Sequence, residues 1–410
     1  MPKSTFFTGQ PVLNQLLSLI PRSVVESLTR KHQSDHYYKK FRTYDHLVSM
    51  LFSGFHHCSS LRELITGLQA NEHRLRHLGL THTPRKSTLA DANKNRSAIF
   101  FEDLFMKLYR LHYGVFPDSF MKSNLQDKLF VIDSTTISLF SDVFKGAGRY
   151  GFNGKKKGGI KAHVLYRAKD RVPCFIDLTE SAKSDKVFMP LIDIPKGSVI
   201  AMDKGYLNYK IMNRWTENHI SWVTRLVESS VYNVIEEKEV SEFLYAKGVR
   251  KDQIIMLGNP ATRKINHPQR ARIVTYYDKN SKREFQFLTN NLAYGALTVA
   301  GIYEKRWDVE ILFRRIKQNF QLYSFLGDNE NAIKIQVWCT LLADLLVQII
   351  KEKAEKIGRR KWAFSNVASL IRQHLTTYID VVKFLVNPDA ALLGYAQHQI
   401  ITDQLPLFKT

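Results

Sequence analysis

At residue 128 the spacing of apolar residues changes period. Upstream, between residues 10 and 115, they recur at helical intervals in LNQLLSLI (13–20), TYDHLVSMLFSGF (43–55) and SLRELITGLQAN (60–71), with little proline inside these runs. Downstream, KLFVID (128–133), IKAHVLYRA (160–168), VPCFIDLTES (172–181) and KGSVIAMD (196–203) alternate or run apolar between glycine, proline and charge, which predicts strands. A helical block followed by a strand-rich block in 410 residues implies two or three domains. The hydrophobic share of 44%, with 12% aromatics, is enough to fill their cores.

Within the helical block, the turn HLGLTHTPRK (77–86) precedes RKSTLADANKNRSAIFFEDLFMKLYRLHYG, where Ser87-Thr88 is a fair N-cap pair. A helix-turn-helix is one reading, with residues 85–97 docking on DNA, and plain helical packing is the other. Between the first strands, GRYGFNGKKKGGIK (148–161) is a basic, glycine-rich loop. It either touches phosphate or forms a solvated hairpin tip.

The net charge of +22 points to a polyanionic partner, nucleic acid above all. The charge is spread along the chain, which favours a basic groove over a disordered arm. Cys58, Cys174 and Cys339 are widely separated and form no metal-ligand spacing, as expected of buried thiols in a reducing compartment. The N-terminus lacks the pattern of a secretion signal. The apolar run IQVWCTLLADLLVQII (335–350) is interrupted by Gln336, Thr340, Asp344 and Gln348. It reads as a buried core helix, too short and too polar to span a bilayer. No amphipathic anchor of a membrane-surface protein is evident.

Three acidic residues stand out. Asp133 and Asp203 each close an apolar strand, where a carboxylate is a poor core residue but also an ordinary turn opener. Glu310 lies in YEKRWDVEILFRRIKQNF (303–320). At about 100° per residue, Tyr303, Arg306, Glu310 and Lys317 fall in one stripe about 60° wide, with Trp307 and Arg314 beside it. Val309, Leu312, Phe313, Ile316 and Phe320 make the neighbouring buried arc. Taken alone, this is either a solvated face with i,i+4 pairs worth about 0.2–0.5 kcal/mol each, or a site. Three carboxylates at one point would require cations. Their oxygens suit Mg²⁺ or Mn²⁺.

Asp133 in VIDSTT, Asp203 in MDKGYLNY and Glu310 in YEKRWDVEILFRRIK resemble the DDE triad of bacterial insertion-sequence transposases. Tyr303, Arg306, Glu310 and Lys317 match the Tyr-x2-Arg-x3-Glu-x6-Lys signature of insertion-sequence family four. The resemblance covers most of the chain, since LLSLIPR and SLRELITGL are similar to a helical domain often found ahead of this core. It implies an α/β fold: a ribonuclease-H-like catalytic core with a β-rich insertion domain, plus helical N-terminal and C-terminal regions. The insertion agrees with VYNVIEE, DQIIMLG, ARIVTYY and REFQFLTNN, four strand-like runs with DKNSK (278–282) as a hairpin turn. The expected organisation is a helical DNA-binding domain over 1–122, the first part of the core over 123–225, the insertion over 226–294, the second part of the core over 295–360, and a C-terminal helical region over 361–410 that would serve dimerisation.

The same resemblance implies the chemistry. Asp133, Asp203 and Glu310 would hold two Mg²⁺ ions, with Mn²⁺ able to substitute. Tyr303, Arg306, Arg314 and Lys317 would grip DNA phosphates. Trp307 would either stack a flipped base or be a core tryptophan. Lys161 and His163 match a Lys-x-His pair of the second core strand, and His163 lies near the metal or is a hydrogen-bonded core histidine. Ser184-Asp185 stands where related transposases carry His-Asp, so no role is carried over to it. The expected partners are double-stranded DNA (terminal inverted repeats and target) and a second copy in a synaptic homodimer, in the cytoplasm at the nucleoid. The expected function is cut-and-paste transposition, by way of hairpin ends or another route. Rivals are a structure-selective nuclease of the same fold and a catalytically idle DNA-binding protein, though idleness gives no reason to keep three converging carboxylates.

Overall fold

Strands form where the apolar alternation predicts them, and one more, Ser221–Arg225, forms where no strand was predicted. The computed structural model describes residues 9–78, 80, 82–112, 125, 128–138, 159–169, 172–180, 183–258, 270–320, 322, 325–358 and 360–391. Most of the basic loop 148–161 lies outside the described residues. The strands are β1 (Leu129–Ser138), β2 (Gly159–Arg167), β3 (Val172–Glu180), β4 (Val199–Met202), β5 (Ser221–Arg225), β6 (Tyr232–Lys238), β7 (Val249–Leu257), β8 (Arg270–Asp278) and β9 (Arg283–Thr289). They build one nine-stranded sheet in the order β3-β2-β1-β4-β5-β9-β8-β7-β6.

β1 is the pivot, antiparallel to β2 and parallel to β4. β4 and β5 are also parallel, so the chain between them must cross over. Helix Tyr209–Glu217 makes that crossing, capped by the Asn208 side chain and burying Ile211, Met212 and Trp215. These join Ile132, Phe188, Ile200, Met202 and Trp222 in a continuous core. β5 pairs antiparallel with β9, so the four strands from 232 to 289 extend the same sheet. The turn after β8 is held by Asp278, whose carboxylate accepts from the amides of Asn280 and Ser281.

The chain divides into two compact units. The sheet unit comprises Asp118–Ser138 and Phe144–Arg314, and the helical unit comprises Met1–Pro117, Leu139–Val143 and Arg315–Thr410. In the helical unit, helix Glu330–Gly358 is buried along most of its 29 residues. It packs on helices Thr43–His56, Ala98–His112, Phe364–His374 and Val381–Val386. This helix is the core of the helical unit, because its apolar residues point all round and need helices on every side. Asp344, buried within it, is held by two hydrogen bonds from Arg315 at 2.6 and 2.8 Å.

Among the described residues, this is the one helix long and apolar enough to cross a membrane, with a mean hydropathy of 1.7 over its best 18-residue window. That corrects the expectation that the stretch is too short and too polar. Its reading as a core helix holds, since 89% of the window is buried inside the protein. The segment after residue 86 differs from the single helix expected. Helix Lys86–Asn95 and helix Ala98–His112 are separated at Arg96, whose backbone is extended. The Arg96 guanidinium is buried and donates to the carbonyls of Ser34 and Phe41, which fixes the break. Ser87 and Thr88 lie inside the first helix and do not cap it. Cys58 and Cys339 are buried and all three cysteines are free.

His46 is fully buried, its Nε2–H donating to Asn93 Oδ1 at 2.7 Å. Burial, with Arg96 nearby, pushes its pKa down to about 3. The folded chain therefore holds His46 neutral while the unfolded chain protonates it below about 6.5. Its contribution is complete above that pH and is lost as the pH falls toward 3. His46→Gln should make the acid-side loss of stability shallower by about 1.4 kcal/mol per pH unit in that window. Denaturant titrations at a series of pH values measure this, and equal slopes for both proteins would contradict it.

Candidate active site

The register of the parallel pair sets the first two carboxylates side by side. β1 and β4 pair from Leu129↔Val199 through Ile132↔Met202, and the next residues are Asp133 and Asp203. Adjacent strands lie about 4.8 Å apart, so the two side chains emerge as neighbours. Asp133 was expected to end its strand. The strand instead runs on to Ser138, paired with β2 alone. Asp133 stands where β4 stops and turns into the short 3₁₀ turn Lys204–Tyr206. It is 9% exposed.

Residues 303–320 were expected to form one continuous helix. Two helices are present, Ala296–Glu304 and Trp307–Asn319, with a turn at Lys305-Arg306. Arg306 N donates to Tyr303 O at 3.0 Å and Asp308 N to Lys305 O at 3.1 Å, the i to i+3 bonds of a tightened turn. The expected stripe is therefore bent at this turn, and the reason lies in what Arg306 reaches. It is buried at 6% exposure, and Nη1 alone donates to Asp133 Oδ2 at 2.9 Å and to Glu310 Oε1 at 2.7 Å. The buried arc is as expected at Val309, Leu312, Ile316 and Phe320, with Phe313 half-buried. Trp307 is 50% exposed under the Arg306 guanidinium, 5.0 Å from the ring, so it is not a core tryptophan. Arg314 and Lys317 are exposed further along the second helix, Lys317 within the helical unit.

Asp203 Oδ1 accepts from Tyr303 Oη at 3.2 Å and from Arg225 Nη2 at 2.8 Å. Burial pushes its carboxyl up, but the hydrogen bond and charge of Arg225, with Arg306 behind, outweigh this and hold the pKa below the usual value. Asp133 goes the other way. Burial pushes it up to about 6 against the pull of Arg306 and the Ser134 amide, and Glu310 and Asp203 add to the rise. Burial also lifts Tyr303 to about 12, so its phenol remains a donor. The Nε atoms of Arg306 and Arg225 are buried with no partner.

Two site residues lay outside the sequence expectations. Arg225 ends β5, and nothing in its local pattern marks it. Asp185 accepts from Ser134 Oγ at 3.0 Å and pairs with Lys161 Nζ at 3.1 Å. It sits 3.8 Å from His163 Nδ1, and its Oδ2 lies 3.2 Å from where a Cβ on Gly205 would stand. Ser184-Asp185, to which no role was carried over, thus stands beside the residues that follow both aspartates. His163 is buried between Thr179 Oγ1 at 2.9 Å and Tyr206 Oη at 3.2 Å, which is a hydrogen-bonded core histidine.

Among the described residues, no three His, Cys, Asp or Glu side chains already have metal-holding geometry. The Arg306 guanidinium stands where Asp133 and Glu310 converge. The donor set is nonetheless all carboxylate oxygen, and one cation already bridges two of its members. Its chemistry fits a hard divalent ion such as Mg²⁺.

Residues 124–346, more than half of the chain, match the family described as Transposase DDE domain. The chain belongs to the DDE transposase family. Residues 8–81 match a second family, Domain of unknown function (DUF4372). A putative transposase of Sinorhizobium fredii is 29% identical over 65% of this chain and 72% of its own length. A probable transposase for insertion sequence element IS5377 of Geobacillus stearothermophilus is 26% identical over 66% of this chain and 68% of its own. A cryo-EM structure of the piggyBac transposase synaptic complex with hairpin DNA aligns over 99% of this chain and 85% of that one, at 10% identity and a TM-score of 0.37, a likeness too distant to bear on fold or function.

In this transposase, removing Arg306 leaves buried Asp133 facing Glu310 and Asp203 uncompensated. Arg306→Met should cost about 3 kcal/mol of stability at neutral pH, and less below pH 6, where Asp133 binds a proton. Chemical denaturation at pH 5 and pH 8 measures the difference. An equal, small loss at both would show that the bridge contributes little.

Proposed function

We propose that this DDE transposase is a cut-and-paste enzyme of insertion-sequence family four, acting on double-stranded DNA at the ends of its own element. The observation that carries the reading is the shared nitrogen. Asp133 and Glu310, far apart in sequence, meet on Arg306 Nη1, with Asp203 beside Asp133 in register. The half-sheet β3-β2-β1-β4-β5, antiparallel on one side of β1 and parallel on the other, supports a ribonuclease-H-like core.

Asp133, Asp203 and Glu310 would hold two Mg²⁺ ions, or Mn²⁺ in their place, which would supply activation of the attacking oxygen and charge stabilisation at the leaving one. The protein side chains do the rest. Tyr303 and Arg225 aim the Asp203 carboxylate from two directions, through bonds to the same oxygen. Arg306 keeps two carboxylates from repelling one another. Arg314 and Lys317 offer further phosphate contacts, and the exposed face of Trp307 offers a surface for an unstacked base. Hydrolysis at the element end followed by attack of the 3′-OH on target DNA needs no covalent protein intermediate. Joining two ends requires two such sites, hence a homodimer on the DNA, which for a bacterial element is at the nucleoid. Hairpin ends are one route for the second strand.

Cleavage of a duplex carrying the element's ends tests this. Asp133→Ala, Asp203→Ala and Glu310→Ala should each abolish Mg²⁺-dependent cutting while leaving DNA binding within about threefold, since none is a phosphate donor. Cutting that survives any of the three overturns the triad. Cutting without joining to a target plasmid points to the nuclease instead. Trp307→Ala should slow cutting and leave binding nearly intact.

A further inference from the structure

The region 8–81, whose family carries no function, holds a loop built to be seen from outside. It runs from Gln33 to Arg42, between helix Arg22–Lys31 and helix Thr43–His56. Tyr37 at its apex is 92% exposed, and its backbone is left-handed at φ 68°. That conformation suits glycine or asparagine and costs a tyrosine some strain. A strained, uncovered aromatic residue persists only when its surroundings impose it.

The surroundings do so from below. The buried Arg96 guanidinium donates to the carbonyls of Ser34 and Phe41 and lies 4.0 Å from the Tyr38 ring. The Asp35 carboxylate, the loop's one acid, turns inward and accepts from Thr43 N and Oγ1, each at 2.6 Å. The loop presents an outer face of Tyr37 against the His36 ring, centroids 3.9 Å apart, flanked by exposed Lys39 and Lys40 and by Arg42, whose Nη1 lies 3.8 Å from Asp35 Oδ2. A preorganised aromatic pair between cations is the surface that polynucleotides bind: stacking for a base, point charges for phosphates.

We propose that loop 33–42 is a DNA contact of the helical unit, with Tyr37 against a base and Lys39, Lys40 and Arg42 on the backbone. The choice of DNA rests on the transposase reading. The loop itself lies outside the DDE residues.

The test is anisotropy of a short fluorescein-labelled duplex of mixed sequence with a single-stranded extension, whose bases are free to stack, with the full chain, without divalent metal, across a series of salt concentrations. Tyr37→Ala should weaken binding roughly tenfold and Tyr37→Phe hardly at all. Lys39→Gln with Lys40→Gln should lower the slope of log affinity against log salt by about two units. Melting temperatures should stay at the parent value, because these side chains are exposed. Unchanged affinity and slope overturn the proposal, as does loop-dependent binding to anionic vesicles with DNA affinity intact. Loop-dependent DNA binding in a chain that never cuts with Mg²⁺ supports the loop and removes the transposase mechanism. Cutting with loop-independent binding does the reverse.

Discussion

Arg306 Nη1 lies 2.9 Å from one carboxylate and 2.7 Å from another, and both belong to segments that meet only because the sheet unit folds. A buried carboxylate without a counter-charge costs several kcal/mol, so this guanidinium is a condition of the site's existence in the absence of any other cation. The remaining geometry serves it. The turn at Lys305-Arg306 carries the side chain inward, and Val309 and Leu312 anchor the helix that follows on its buried face. Tyr303 and Arg225 hold the third carboxylate without competing for the first two.

Sheet topology supplies the rest of the precision. A parallel pair aligns residues in step, so ending the β1–β4 pairing at Ile132↔Met202 sets two aspartates next to each other with no further device. β2 then brings Lys161 and His163 along the other edge of β1, opposite Thr136 and Ser134. Asp185 ties Ser134 to Lys161 across that edge. The site is thus two layers deep: two carboxylates on one arginine with a third beside them, and behind them a fourth acid holding the backbone segments that present them.

Much of this was legible from residue patterns. Half-buried strands alternate, so β1 to β4 and β6 to β9 could be read, whereas the short β5 was missed, and the acidic residues at or near strand ends were visible as misfits in apolar runs. The signature Tyr303, Arg306, Glu310, Lys317 is a spacing, and spacing survives in sequence. What it could not convey is backbone geometry. A regular 3.6 period continues across Lys305-Arg306 although the helix does not, because Arg306 turns inward to an ion pair with Asp133, far upstream. Arg96 breaks a helix for the same reason, through carbonyls of a distant loop. Arg225 and Asp185 were missed because each gains its role from a neighbour in space. Helix Glu330–Gly358 was legible as buried, but apolarity records that a helix is buried and says nothing of which helices bury it.

The central claim is that Asp133, Asp203 and Glu310 act as the ligands of one catalytic divalent-ion site. Metal-switch rescue of Asp203→Cys tests it most directly, since a thiolate disfavours Mg²⁺ and accepts the softer Mn²⁺. The account predicts that end cleavage by this variant is lost in Mg²⁺ and returns, at least in part, in Mn²⁺. Cleavage by Asp203→Cys that proceeds in Mg²⁺ at the parent rate would contradict it.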